Sequence, residues 1–382
     1  MNTVTASIPV LLWAAERAWL SDETLAKRFP KWPLWLSGEA EPTLRQLENF
    51  ARLTHTPIGY FFLPEPPELK LPVPDFRTLR DETLMEPSSA LLDTLFLCQQ
   101  RQDWFHEYAR IQGMKPFAFV GSVTVTDFPE DVARTMRQEL ALSIAERQTL
   151  STWTDALRQF ITRTEEAGVM VMTSSVVGSN SHRKLNVSEF RGFALADELA
   201  PLVFLNGADS KAAQMFTLAH ELAHIWLGES GISDPNAGQV PEKQIERWCN
   251  QVAAELLLPL EELQHAHDQD ASVMDEIQRL ARLFKVSTLV ALRRLFDAGF
   301  IDEATLWQCF RAEVERIRSL DRGGSGGDFY RTLGARTGKR FARAVLSSTL
   351  EGQTLFQDAF RMLGLRKTST FYDAARELGV ML

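Results

Sequence analysis

The residues best spaced for chemistry are His220, Glu221 and His224, an HExxH in the run FTLAHELAHIWLG at 216–228. The run is apolar and holds no Pro or Gly before Gly228, so it predicts a helix. On a helix, positions i and i+4 lie on one face, and both imidazoles can reach a single ion. Zn²⁺ suits them, because it is tetrahedral and accepts neutral nitrogen. Mn²⁺ or Fe²⁺ would also fit such a ligand set. Glu221 sits beside the pair, placed to take the proton of a water polarised there.

A third ligand must come from elsewhere. The next helical stretch, 242–258, offers Glu246 and Glu255. At roughly 100° per residue, Glu246, Asn250 and Leu257 share a face, whereas Glu255 points about 180° away from Glu246. Only one of the two glutamates can face the metal. Glu246 is preferred, because Asn250 one turn on can orient a ligand from behind. Glu255 stands as the alternative. His182, His265 and His267 are candidates for stabilising an oxyanion, though nothing in their spacing singles one out.

The elements that must position these residues read as follows. The segments at 168–175, 188–196 and 201–206 have the apolar, β-branched character of strands and form a small sheet ahead of the motif helix. A bound peptide would lie extended beside the strand at 201–206, adding main-chain hydrogen bonds. Further helices are expected at 88–113, 129–146, 152–166 and 275–296. The N-terminal part predicts short helices. Ser21 caps one through Arg28, and Thr43 caps another with Leu44, Leu47, Phe50, Ala51 and Leu53 on one face. Five prolines between 64 and 75 predict an extended, stiff connection. The expected organisation is therefore a helical module over 1–67, a Pro-rich linker over 68–87, a peptidase-like domain over 88–300 and a helical segment over 301–382. The fold class is α+β, with a small antiparallel sheet. A glycine-serine run at 323–327 has the look of a linker.

Composition narrows the function. The chain has 382 residues, 45% hydrophobic and 24% charged, which suits a globular protein of two or three domains. The net charge of −9 excludes a protein that coats nucleic acid over its whole surface. Residues 322–382 run the other way, with ten Lys/Arg against five Asp/Glu. Cys98, Cys249 and Cys309 are scattered and odd in number, so no disulfide framework is expected, and a reducing cytoplasm is favoured. The apolar stretch from Ile8 to Leu20 is interrupted by Glu16 and Arg17 and makes a poor signal peptide. No membrane span is expected, since no run of about 18 uncharged apolar residues occurs.

The runs AQMFTLAHELAHIWLG, IERWCNQVAAELLLP and RLARLFKVSTLVALRRLFDAGFI together resemble ImmA/IrrE-type metallopeptidases. The stretch at 42–78 resembles the degenerate Xre-type helix-turn-helix module often fused ahead of that peptidase. The resemblance implies a zincin-like core with His220, His224 and Glu246 as zinc ligands and Glu221 as base. It implies proteolysis of a regulatory protein, such as a transcriptional repressor in stress response or mobile-element control, with activity that can wait on a partner. Cys249 departs from the Ala usual at its place and reads as a small buried apolar group. A second reading is a DNA-linked regulator, or the antitoxin of a co-encoded toxin, with the zincin core as scaffold. DNA binding has weak support: residues 1–67 hold six Lys/Arg against seven Asp/Glu. The expected recognition helix, near Phe29–Ser37, offers mainly Trp32 and Trp35, which suit a core or a protein contact better than base edges.

Overall fold

The computed structural model describes residues 3–69, 71–76, 86–233, 243–319 and 329–381. The glycine-serine run at 323–327 and much of the expected linker lie outside them. The chain divides into two compact units, one formed by residues 1–72 with 79–96 and the other by 73–78 with 97–382.

In the first unit, polar caps start the helices. The Ser21 hydroxyl accepts from the Thr24 amide ahead of Asp22–Arg28, and Thr43 and Gln46 form a reciprocal capping box ahead of Leu44–Thr54. The core is built from aromatic rings: Trp32 stacks on Phe50 at 5.2 Å, and Phe61 meets Phe50 edge-on at 5.5 Å. The helix expected to read bases is only the five-residue Trp32–Leu36, and both of its tryptophans are buried. Leu44, expected on the inward face, is exposed instead.

The second unit carries a four-stranded sheet: β1 (Met170–Ser174), β2 (Gly192–Leu195), β3 (Leu202–Asn206) and β4 (Gly231–Ser233), in the order β1-β3-β2-β4. The expected antiparallel sheet is in fact mixed. β2 pairs antiparallel with β3 and with β4, but β1 runs parallel to β3. β2 and β3 pair antiparallel across the short connection at 196–201, and β1, which runs opposite to β2, joins the other side of β3 and is therefore parallel to it. This also corrects the expected peptide position. β3 has a strand on each side, so its main-chain groups are already used, and the strands at the ends of the sheet are β1 and β4.

The motif helix, Lys211–Leu227, packs on β2 and β3 and against the helix Gln244–Leu257. Ser210 caps its start, and Gly228 follows its end. The helix is buried from Gln214 through Trp226, as expected of a central helix that is apolar nearly all round. Two expected helices prove to be broken. The stretch 129–146 divides into Pro129–Glu139 and Ile144–Thr149, and the later one divides into Val273–Phe284 and Thr288–Asp297, where Ser287 caps the second piece.

The C-terminal helices are part of this unit's core. Phe329–Thr337 and Lys339–Leu350 pack against β1. Buried Arg101 donates to the carbonyls of Met362, at 3.0 and 3.1 Å, and of Arg336 at 3.2 Å. Arg336 is itself buried, and Arg340 lies over the rings of Phe105 and Phe117. Part of the basic charge counted in this segment is therefore folded inward.

Candidate metal centre

His220 and His224 project from consecutive turns of the motif helix, and Glu246 reaches them from the first turn of Gln244–Leu257. One Glu246 carboxylate oxygen lies 3.2 Å from His220 Nε2, and the other lies 3.0 Å from His224 Nε2. The two Nε2 atoms are 3.2 Å apart. All three side chains are buried. Ser233 Oγ, at the end of β4, lies 3.3 Å from His224 Nε2.

The arrangement fits a cation. His220 Nδ1 lies 2.9 Å from Asn250 Oδ1, which can only accept, so the ring donates there and Nε2 is left with a lone pair. That lone pair faces a carboxylate and a second imidazole nitrogen, a buried cluster short of protons. A tetrahedral ion with bonds of about 2.0–2.1 Å places its ligand atoms about 3.3 Å apart, close to the separations found. Burial pushes the Glu246 carboxyl up, but the two imidazoles outweigh it, His220 foremost, and hold it at about 2. Burial likewise holds His224 below its usual value, in the neutral form that a metal requires.

Glu221 is fully buried, and its carboxylate oxygens have no hydrogen-bond partner of ordinary geometry among the described residues. Burial first, then the nearby Glu246 charge, raises its pKa well above the usual range, while the Ser233 hydroxyl opposes the rise. β2 passes very close here. A Cβ on Gly192 would stand 2.6 Å from Thr217 Cγ2, 2.9 Å from the Phe204 carbonyl oxygen and 3.2 Å from Glu221 Oε1. Only a bare α-carbon lets the strand approach this face of the helix.

The other sequence candidates lie apart from this cluster. Glu255 pairs with buried Arg294, which also donates to the Leu258 carbonyl at 2.8 Å. His267 bonds Glu276 at 3.0 Å, and His182 is exposed. Cys249 is fully buried beside the centre, and burial together with Glu246 and Glu221 keeps its thiol protonated. Sequence reasoning missed Ser233 and Phe76. The Phe76 ring stacks on His224, with centroids 5.4 Å apart and planes 9° apart. The extended, proline-rich character of the segment around Phe76 was the only signal it gave.

A small sheet backed by an HExxH helix, with a carboxylate returning from the following helix, defines a zincin-like metallopeptidase core as a class. Residues 164–296 match the model of the IrrE N-terminal-like domain, and residues 337–377 match a domain of unknown function, DUF8813. Among curated proteins, the chain is similar to the radiation response metalloprotease IrrE of Deinococcus radiodurans, 33% identical over 99 residues. That alignment takes in 24% of this chain and 30% of the relative's length. Residues 164–296 are thus similar to the ImmA/IrrE-type metallopeptidases, a family that points to a divalent metal. Both family models match outside residues 42–78, where the helix-turn-helix resemblance falls. Among the described residues, no helix is long and apolar enough to cross a membrane.

Proposed function

We propose that the chain is a metal-dependent endopeptidase, with zinc as its natural ion, that cuts a regulatory protein such as a transcriptional repressor. Control of a stress response or of a mobile element is the setting this reading favours. The observation that carries it is the convergence of Glu246 on both imidazoles, at 3.2 and 3.0 Å, beside a buried Glu221 carboxylate that is not spent on any hydrogen bond of ordinary geometry.

In this reading His220, His224 and Glu246 hold the ion. When bound, the ion supplies Lewis acidity that polarises water and the scissile carbonyl. Asn250 fixes the ring orientation and tautomer of His220. Glu221 is the general base: its buried carboxylate, next in sequence to His220 and not spent on a hydrogen bond of ordinary geometry, accepts a proton from the attacking water and passes it to the leaving nitrogen. The apolar residues around the motif helix keep bulk water out.

Glu221→Gln tests the role. The variant should keep one equivalent of metal, yet lose about 10²–10⁴-fold in cleavage rate of a repressor encoded beside the gene. Full cleavage by this variant would refute the assignment.

A further inference from the structure

The outer edge of β4 is not bare. The Phe76 amide donates to the Ile232 carbonyl at 2.9 Å, and the Ile232 amide donates to the Pro74 carbonyl at 3.1 Å. Asp75 and Ile232 thereby form a parallel bridge. Residues 74–76 thus lie as an added strand on the one edge that runs past the metal centre, since β4 ends at Ser233 beside His224.

The side-chain fit is specific as well. The Phe76 ring stacks on His224 and fills the space over Gly231, where a Cβ would stand 2.2 Å from its Cε2 and 2.3 Å from its Cδ2. Lys243, one residue before the helix that carries Glu246, closes over the top. Its ammonium lies 5.2 Å from the centre of the Phe76 ring and donates to the Asp75 carbonyl. Main-chain pairing with a sheet edge plus one pocket for an alternate side chain is how extended peptides are recognised in general.

We infer that the outer edge of β4 is the peptide-binding edge of this site, and that Pro74–Phe76 fill it as an intramolecular stand-in for substrate. The inference rests on the peptidase reading of the site, and it adds both a substrate class and a control. The site takes an extended segment bearing an aromatic side chain, seated between His224 and Gly231. An incoming peptide must first displace the chain's own strand. A competitor tethered in the same chain lowers apparent affinity by the fraction of molecules it leaves open.

Binding of a fluorescent peptide of sequence PVPDFRT (residues 72–78) to the metal-loaded full chain tests this without relying on catalysis. Phe76→Ala should bind the peptide about tenfold tighter than the parent, or better, because the internal competitor loses its anchor. Adding Gly231→Ala should erase that gain, because the new methyl occupies the ring's place. Metal content reports folding in each variant. Lys243→Ala loosens the strand from outside the ligand set and should give a smaller gain in the same direction. Equal peptide binding by the parent, Phe76→Ala and Lys243→Ala would overturn the inference, as would undiminished binding in the Phe76→Ala/Gly231→Ala protein. Tighter binding with no cleavage by any variant would instead count against the peptidase reading and leave the occupied edge standing.

Discussion

Asn250 Oδ1 accepts the Nδ1 proton of His220 at 2.9 Å, joining the helix Gln244–Leu257 to the motif helix directly behind the proposed ligand atom. One amide thereby selects the tautomer in which Nε2 presents its lone pair. Asn250→Ala should weaken metal affinity by about 10–100-fold while leaving all three ligands in place. Titration against a chromophoric chelator measures this. Unchanged affinity would mean that the ring needs no such support.

The two glutamates of the Gln244–Leu257 helix have opposite assignments, and substitution separates them. Glu246→Gln should abolish tight metal binding. Glu255→Gln should retain it but destabilise the fold by up to about 3 kcal/mol, because the buried Arg294 guanidinium loses its buried charged partner and keeps only the more exposed Asp297, at 3.4 Å. Metal content by elemental analysis and urea unfolding read the two effects. Loss of metal on changing Glu255 alone would reverse the assignment.

Glu165 gives a pH dependence away from the metal. It is buried where it accepts the Arg340 backbone amide at 3.2 Å, at the start of Lys339–Leu350. Burial raises its pKa from 4.5 to about 7, against the pull of those amides and of Lys339 and Arg343. A raised carboxyl stabilises the fold fully below its unfolded value and loses that contribution as pH climbs through the folded one. Stability should therefore decline between about pH 4.5 and 7, by no more than about 3 kcal/mol from this group. Glu165→Gln should remove that part of the slope. Identical pH profiles for the parent and the variant, by urea unfolding at several pH values, would show that Glu165 does not titrate there.

The chemistry was the most legible part of the sequence. The pairing of His220 with His224 follows from one helical period, and the 180° between Glu246 and Glu255 lets only one of them face that pair, with Asn250 one turn on favouring Glu246; these arguments are local. The strands at 170–174, 192–195 and 202–206 were visible as apolar runs for the same reason. What failed was non-local. Strand order is decided by how β2 and β3 pair, so neither the parallel β1 nor the interior position of β3 could be read from any one segment. β4 is three residues long, too short to show a period. The burial of Arg294 and of Arg336 could not be read locally either, because it depends on distant partners, Glu255 for one and the Leu363 carbonyl for the other. Trp32 and Trp35 were legible as apolar, which left a core or a protein contact open, and both lie in the aromatic core.

The helices that back β1 have a practical consequence. A fragment trimmed to residues 164–296 would keep every proposed ligand yet lose Phe329–Thr337 and Lys339–Leu350. The terminal strand of its sheet would then meet solvent with apolar Met170 and Met172 uncovered, an invitation to sticky self-association. The smallest well-behaved unit is therefore larger than the matched domain suggests, because its tail serves as a lid against aggregation.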